Sequence, residues 1–303
     1  MLDVLAEQEV AQQMRHLGPD LGLPTLKRMF PDVPRRRLQQ IQCACRQRWH
    51  QDHALITEEL HWLVPGTVWA GDFTELDESI DGCFGYALST RDLASRMHLL
   101  ALPTLGEDAD TAIAATESLF ARHGAPLVYK SDNGSAFTSW DFRDMLDRWG
   151  VIALLSPPRT PRYNGAAEAG IGSFKTRTFY QAVRHGTREW TSDDAEAARQ
   201  QCNQSVRRFD GGAICTPQER WTGRALITDP QREAFRRAAR AHREAYLREN
   251  GLHEEPLESL PTRTRALVAR MAIRRALESC GYLWVSRKRI TPPFKSPLRA
   301  RIR

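Results

Sequence analysis

The chain lacks long apolar runs. Nowhere does it offer the ~20 consecutive apolar residues that a membrane-spanning helix needs, so no such span is expected. Its first residues, MLDVLAEQEVAQQMRH, have no basic start, apolar stretch or small-residue cleavage site, so a secretory signal of the usual kind is not expected in them. Cysteine is scarce. The six, Cys43, Cys45, Cys83, Cys202, Cys215 and Cys280, show no disulfide-like pattern. Reduced thiols and a cytoplasmic setting are the expectation. Cys43-Ala44-Cys45, with His50 and His53 nearby, departs from the ligand spacing of common zinc sites, so a structural cysteine pair on a helix is expected there.

Acidic residues are missing from two stretches. Pro34 to Arg48 holds five arginines (Arg35, Arg36, Arg37, Arg46, Arg48) and no acid. Arg287 to Arg303 holds seven basic residues and no acid. Net charge is +6 and the pI near 9.2, a balance that fits a nucleic-acid partner but does not establish one. Basic flanks around an acidic centre would hold a phosphate backbone beside carboxylates; solvated faces are the plain alternative.

Three acids stand out. Asp72 follows the run Thr67-Val68-Trp69-Ala70-Gly71, and Asp132 follows Pro126-Leu127-Val128-Tyr129-Lys130-Ser131 and precedes Asn133-Gly134. Glu168 comes after a further 35 residues, just inside a helix expected to start near Asn164. Two strand ends and a helix start can converge on one point. Oxygen-only clusters suit hard ions such as Mg²⁺ or Mn²⁺. Two such ions can clamp the attacking and leaving oxygens of a phosphodiester displacement.

The stretches VWAGDFTEL (68–76), YKSDNGSAF (129–137) and PPRTPRYNGAAEAGIGSFK (157–175) resemble the catalytic core of retroviral-type integrases and related insertion-sequence transposases. The resemblance runs roughly from Trp62 to Thr222. It implies an α/β, RNase H-like mixed sheet flanked by helices and a D,D-35-E triad of Asp72, Asp132 and Glu168 binding two divalent ions, Mg²⁺ or Mn²⁺. It also implies DNA 3′-end cleavage and strand transfer, with element ends and target DNA as partners, a homo-oligomer on DNA, no membrane, and a bacterial, nucleoid-associated setting. Such relatives often carry more helix-turn-helix sequence upstream, so the chain can be the downstream part of a longer protein. A decayed DNA-binding copy, or an RNase H-like nuclease that only hydrolyses, stays open as an alternative.

Three regions are expected. Residues 1–60 read as helical, with Pro24–Phe30 and Arg35–His50 as a helix-turn-helix-like DNA-binding segment. Residues 61–222 read as the catalytic core: strands at 67–73, 82–90, 95–102, 126–131 and 151–155, with a hairpin turn at Thr90-Arg91-Asp92-Leu93. Helices are expected from Asp108 to His123, from a Thr138/Asp141 capping box to Trp149, from Asn164 to Val183, and from Thr191 to about Arg208. Residues 223–303 read as a basic, mostly helical DNA-binding or assembly region, with helices over Asp229–Asn250 and Thr262–Cys280 and a strand over Tyr282–Ile290.

Within the core, Lys175 lies seven residues after Glu168, on the same helix face, and resembles a lysine that grips the DNA end. Arg159, Arg162, Tyr163 and Asn164, on the proline-rich loop before Glu168, are expected to contact DNA near the scissile phosphate. Asn133 is expected to shape the turn presenting Asp132 and to touch substrate. Gly170 and Gly172 together cost ~2 kcal/mol of helix propensity, which close approach of another backbone or of DNA would offset.

Overall fold

The computed structural model describes residues 2–19, 21–52, 55–157, 165–187, 189–254 and 256–290. It opens with helices α1 (Leu2–Leu17), α2 (Leu23–Met29) and α3 (Arg35–Asp52), then strand β1 (Leu55–Trp62). Next come β2 (Val68–Ile80), β3 (Phe84–Asp92), β4 (His98–Thr104), α4 (Ala109–His123), β5 (Val128–Ser131), α5 (Ser135–Thr138), α6 (Trp140–Arg148) and β6 (Ile152–Leu155). They are followed by α7 (Gly165–Arg184), α8 (Ser192–Gln204), β7 (Arg207–Arg208), β8 (Ile214–Cys215), α9 (Pro217–Thr222), α10 (Asp229–Glu249), α11 (Thr262–Ser279) and β9 (Leu283–Ile290). Two compact units result: residues 1–59 with 285–303, and residues 60–284.

In the first unit, Val10, Met14, Leu26, Val33, Leu38 and Ile41 bury one small core among α1, α2 and α3. The polar groups of α3 secure the turns. Gln42 donates to the Leu21 carbonyl at 2.6 Å, and Arg46 donates to the carbonyls of Pro19 and Leu21 at 2.9 and 3.3 Å. Arg46 is thereby committed to the fold, and Arg37 pairs with Glu7; Arg35 and Arg36 stay exposed at the start of α3. Cys43 and Cys45 are free thiols on that helix. Residues 55–60, read from the sequence as the end of a helical region, instead form β1, which pairs with β9. Their partner lies more than two hundred residues away, beyond the reach of local periodicity.

The second unit is built on a five-stranded sheet in the order β4-β3-β2-β5-β6. β2 pairs antiparallel with β3, and β3 with β4; β2 runs parallel to β5, and β5 to β6. This is the mixed, RNase H-like sheet expected. Alternation along each strand gives the sheet two buried faces. On one, Trp69, Phe73, Leu88, Phe120, Tyr129, Phe137 and Phe142 pack beneath α4, α5 and α6. On the other, Leu76, Ile80 and Ala87 meet Phe174 and Ala182 of α7 and Ala195 and Ala198 of α8. α10 and α11 belong to the same unit, with α11 beside β6. Arg232 of α10 donates to the carbonyls of Ala125 and Pro126 at 2.7 and 2.5 Å, just ahead of β5.

Several boundaries differ from the sequence reading. β2 runs on to Ile80, past the expected end at residue 73. The β3–β4 turn falls at Leu93–Met97, with Thr90, Arg91 and Asp92 still in the strand. Asp92 decides this: its fully buried carboxylate accepts from the Ser95 N–H (2.7 Å), the Ser95 hydroxyl (2.6 Å) and the Gly66 N–H (2.8 Å). The cap of α6 is Ser139, whose hydroxyl accepts from the Phe142 N–H at 3.2 Å, so the segment splits into α5 and α6. α8 stops at Gln204 because Arg207 and Arg208 pair with Cys215 and Ile214.

Candidate active site

Asp72 sits in the middle of β2, opposite Ser89 of β3. Its neighbours Gly71 and Phe73 point to the α4–α6 side, so its own carboxylate faces α7. A side chain at Gly71 would collide with the Tyr129 phenol, so glycine there lets Tyr129 fill the core directly behind Asp72.

Asp132 stands one residue beyond β5. Its Oδ1 accepts from the Gly134 N–H at 3.0 Å. A Cβ at Gly134 would come within 3.1 Å of that oxygen, although the backbone there (φ −57°) is ordinary. The Asn133 side chain donates to the Ser156 carbonyl at 2.7 Å, and the Ser156 N–H donates to the Ser131 carbonyl at 2.9 Å. Asn133 therefore ties the ends of β5 and β6 together beside the acid.

Glu168 is exposed in the first turn of α7, which packs over β2. Arg91 secures this end of the helix: its Nη1 donates to the Ala166 carbonyl at 2.6 Å. Gly170 makes room for it, since a Cβ there would lie 2.5 Å from Arg91 Nη1. An arginine side chain, not a backbone or DNA, accounts for Gly170; nothing lies within 4 Å of a Cβ at Gly172. Lys175 donates to the Glu75 carbonyl of β2. Arg159, Arg162, Tyr163 and Asn164 lie outside the described residues.

The acids share one electrostatic environment. Burial pushes the Asp72 carboxyl up to about 7, and the charges of Asp132, Glu107 and Glu168 push the same way. Lys130 opposes them. Burial brings its ammonium down to about 8, against the pull of Asp72 and Glu168. Glu107 and Lys130 are two neighbours that sequence reasoning passed over. Lys130 was visible inside the YKSDNG stretch; nothing local marks Glu107. A hard divalent cation beside Asp72 would relieve the repulsion from these acidic neighbours. Among the described residues, no three acidic, histidine or cysteine side chains already enclose a metal position.

Residues 64–161 match the family described as the integrase core domain. That segment of the chain is similar to an integrase core. The matched segment includes Asp72 and Asp132 and stops seven residues before Glu168. The Pol polyprotein of Radiation murine leukemia virus (strain Kaplan) is 32% identical to this chain over 127 residues, 42% of this chain and 22% of that protein. The Gag-Pol polyprotein of Feline leukemia virus is 32% identical over 127 residues, 42% of this chain and 7% of that protein. An uncharacterized protein of Caenorhabditis elegans is 32% identical over 114 residues, 38% of this chain and 9% of that protein. The chain thus spans less than a quarter of the length of these curated relatives. They are viral or animal proteins, so the bacterial setting expected from the sequence draws no support from them.

Among solved structures, the simian T-cell lymphotropic virus intasome in complex with the PP2A regulatory subunit B56 gamma matches with a TM-score of 0.48 and 17% identity, over 72% of this chain and 76% of that one. The HTLV-2 integrase catalytic core domain in complex with magnesium matches with a TM-score of 0.43 and 19% identity, over 52% of this chain and 98% of that one. Among the described residues, no helix is long and apolar enough to cross a membrane.

Proposed function

We propose that the chain is a DNA transposase or integrase that exposes a 3′-hydroxyl at an element end and joins it to target DNA. The observation that carries this reading is the place of Asp72, buried on the α7 side of the sheet of a segment that matches an integrase core and within reach of the charges of Asp132 and Glu168. Asp72, on the central strand, would hold the cations together with Asp132 and Glu168. Mg²⁺ or Mn²⁺ bound there would neutralise charge on the attacking and leaving oxygens of a phosphodiester.

The protein's part is to hold and orient. Asp132 is fixed by Gly134, and Asn133 braces the strand ends beneath it. Arg91 anchors the helix that presents Glu168. Lys130 balances part of the acidic charge from below. Lys175, Arg159, Arg162, Tyr163, Asn164 and Asn133 are assigned to DNA contacts, with Lys175 exchanging its Glu75 carbonyl for a phosphate. The helices of residues 1–60 and the basic region 223–303 are assigned to DNA binding and assembly, on a homo-oligomer that brings two DNA ends together in a cytoplasmic, nucleoid-associated setting.

The test is an assay of purified protein with Mg²⁺ or Mn²⁺ and DNA carrying the ends that flank its gene. Joined products support the proposal. Cut but never joined products would assign a hydrolysis-only nuclease. Binding with neither cutting nor joining would assign a DNA-binding copy without catalysis.

A further inference from the structure

The β3–β4 turn, the start of α7 and the β7–β8 ribbon enclose a cavity of 250 Å³. Four arginines line it: Arg91, Arg96, Arg207 and Arg220. Asp210 is the one acid among the described lining residues, and its Oδ1 already faces His61 Nδ1 at 3.1 Å. Like charges gathered in a poorly hydrated space repel unless an anion joins them. Burial, together with Arg207 and Arg96, brings the Arg91 guanidinium down to about 10.

The cluster is built, not a chance of surface side chains. Arg91 is buried, and its Nε donates to the Arg96 carbonyl at 3.1 Å. The guanidinium groups of Arg96 and Arg220 stand over the Phe209 ring at 5.0 and 4.5 Å from its centroid. Arg96 takes a left-handed backbone (φ 62°), a conformation that glycine adopts more easily. Arg207 Nε is buried with no hydrogen-bond partner among the described residues. An unpartnered guanidinium N–H beside three other arginines calls for an acceptor with several anionic oxygens, and planar arginine forks match phosphate.

Position adds meaning. Arg91 lies two residues along β3 from Ser89, the register partner of Asp72, and on the same sheet face. That is a separation of ~7 Å along the strand.

We propose that this cavity is a phosphate-binding site, which takes either a phosphodiester of the DNA backbone or a free phosphate-type anion. The DNA source rests on the function proposed above; the free-anion source does not.

The experiment compares the full chain with Arg96→Gly and Arg207→Gln, all in EDTA so that no DNA chemistry occurs. R96G relieves the left-handed backbone and is the variant expected to fold at least as readily, with the circular dichroism spectrum as its check. The first probe is inorganic phosphate, followed by thermal shift. The second is a duplex oligonucleotide, followed by its dissociation constant across a salt series. If a backbone phosphate occupies the site, each variant weakens DNA binding by roughly tenfold and lowers the salt slope by about one. If a free anion occupies it, phosphate raises the wild-type melting temperature, neither variant responds, and DNA affinity is unchanged. Folded variants that match wild type with both probes overturn the inference. A chain that never joins DNA leaves this test intact, and a failed cavity leaves the acid triad untouched.

Discussion

Gly71 and Tyr129 occupy complementary space: a side chain on the one would collide with the phenol of the other. Tyr129 is fully buried, with its hydroxyl 3.4 Å from Thr90 Oγ1, so it has nowhere to retreat. Gly71→Ala is therefore expected to destabilise the fold by about 1–3 kcal/mol through overpacking. It is also expected to displace Asp72 and reduce joining. Urea unfolding measures the first effect; wild-type stability in G71A would refute the packing argument.

His98 and Asn203 form a second such pair. Asn203 Oδ1 accepts from the His98 N–H at 2.8 Å, and its Nδ2 donates to the His98 carbonyl at 3.0 Å. The side chain thus acts as a strand partner for the edge strand β4. Asn203→Ala leaves the His98 N–H without its buried acceptor, while the carbonyl keeps the Arg199 guanidinium at 2.8 Å, and is expected to cost about 1–3 kcal/mol. Hydrogen exchange at the His98 amide should accelerate; unchanged protection would contradict this.

The His98 ring sets a pH dependence. Its pKa is pushed down to about 3, first by burial and then by the charges of Arg91, Arg207, Arg199 and Arg177. Above its unfolded value of ~6.5 both states are neutral and the ring contributes nothing. Below that, the unfolded chain binds a proton that the folded chain refuses, so stability falls as pH drops from about 6.5 towards 3. Unfolding curves across this window should be steeper in pH for wild type than for His98→Phe. Parallel curves would show that His98 is protonated in the fold.

Gly170 and Gly172 of α7 should behave oppositely. Gly172→Ala meets open space and is expected to stabilise by up to about 1 kcal/mol. Gly170→Ala gains the same propensity but crowds the buried Arg91 guanidinium, which holds the Ala166 carbonyl, and is expected to be a net loss. Thermal unfolding of the two variants decides it. A rise in both would show that Arg91 moves aside at no cost.

Much of this architecture was legible because it is local. The apolar runs ending at Gly71 and Ser131, Asp108 and Gly124 at the ends of α4, and Thr191 at the start of α8 each announce themselves within a few residues. What was hidden depends on distant partners. β1 exists by pairing with β9. The β3–β4 turn is moved by a buried aspartate bonded to Gly66, 26 residues earlier. In the candidate site, motif spacing marked Asp72, Asp132 and Glu168, whereas Glu107 enters only through the folding of the β4–α4 connection beside them. Gly170 looked like a helix defect until Arg91 of β3 was placed against it.

The central claim is that Asp72, Asp132 and Glu168 form one catalytic centre on DNA. The most direct measurement is joined-product yield for Asp72→Asn, Asp132→Asn and Glu168→Gln at DNA concentrations that saturate each protein. The account predicts that all three bind DNA like the wild type and that none forms joined product in Mg²⁺ or Mn²⁺. Joined product from any one of the three would contradict it.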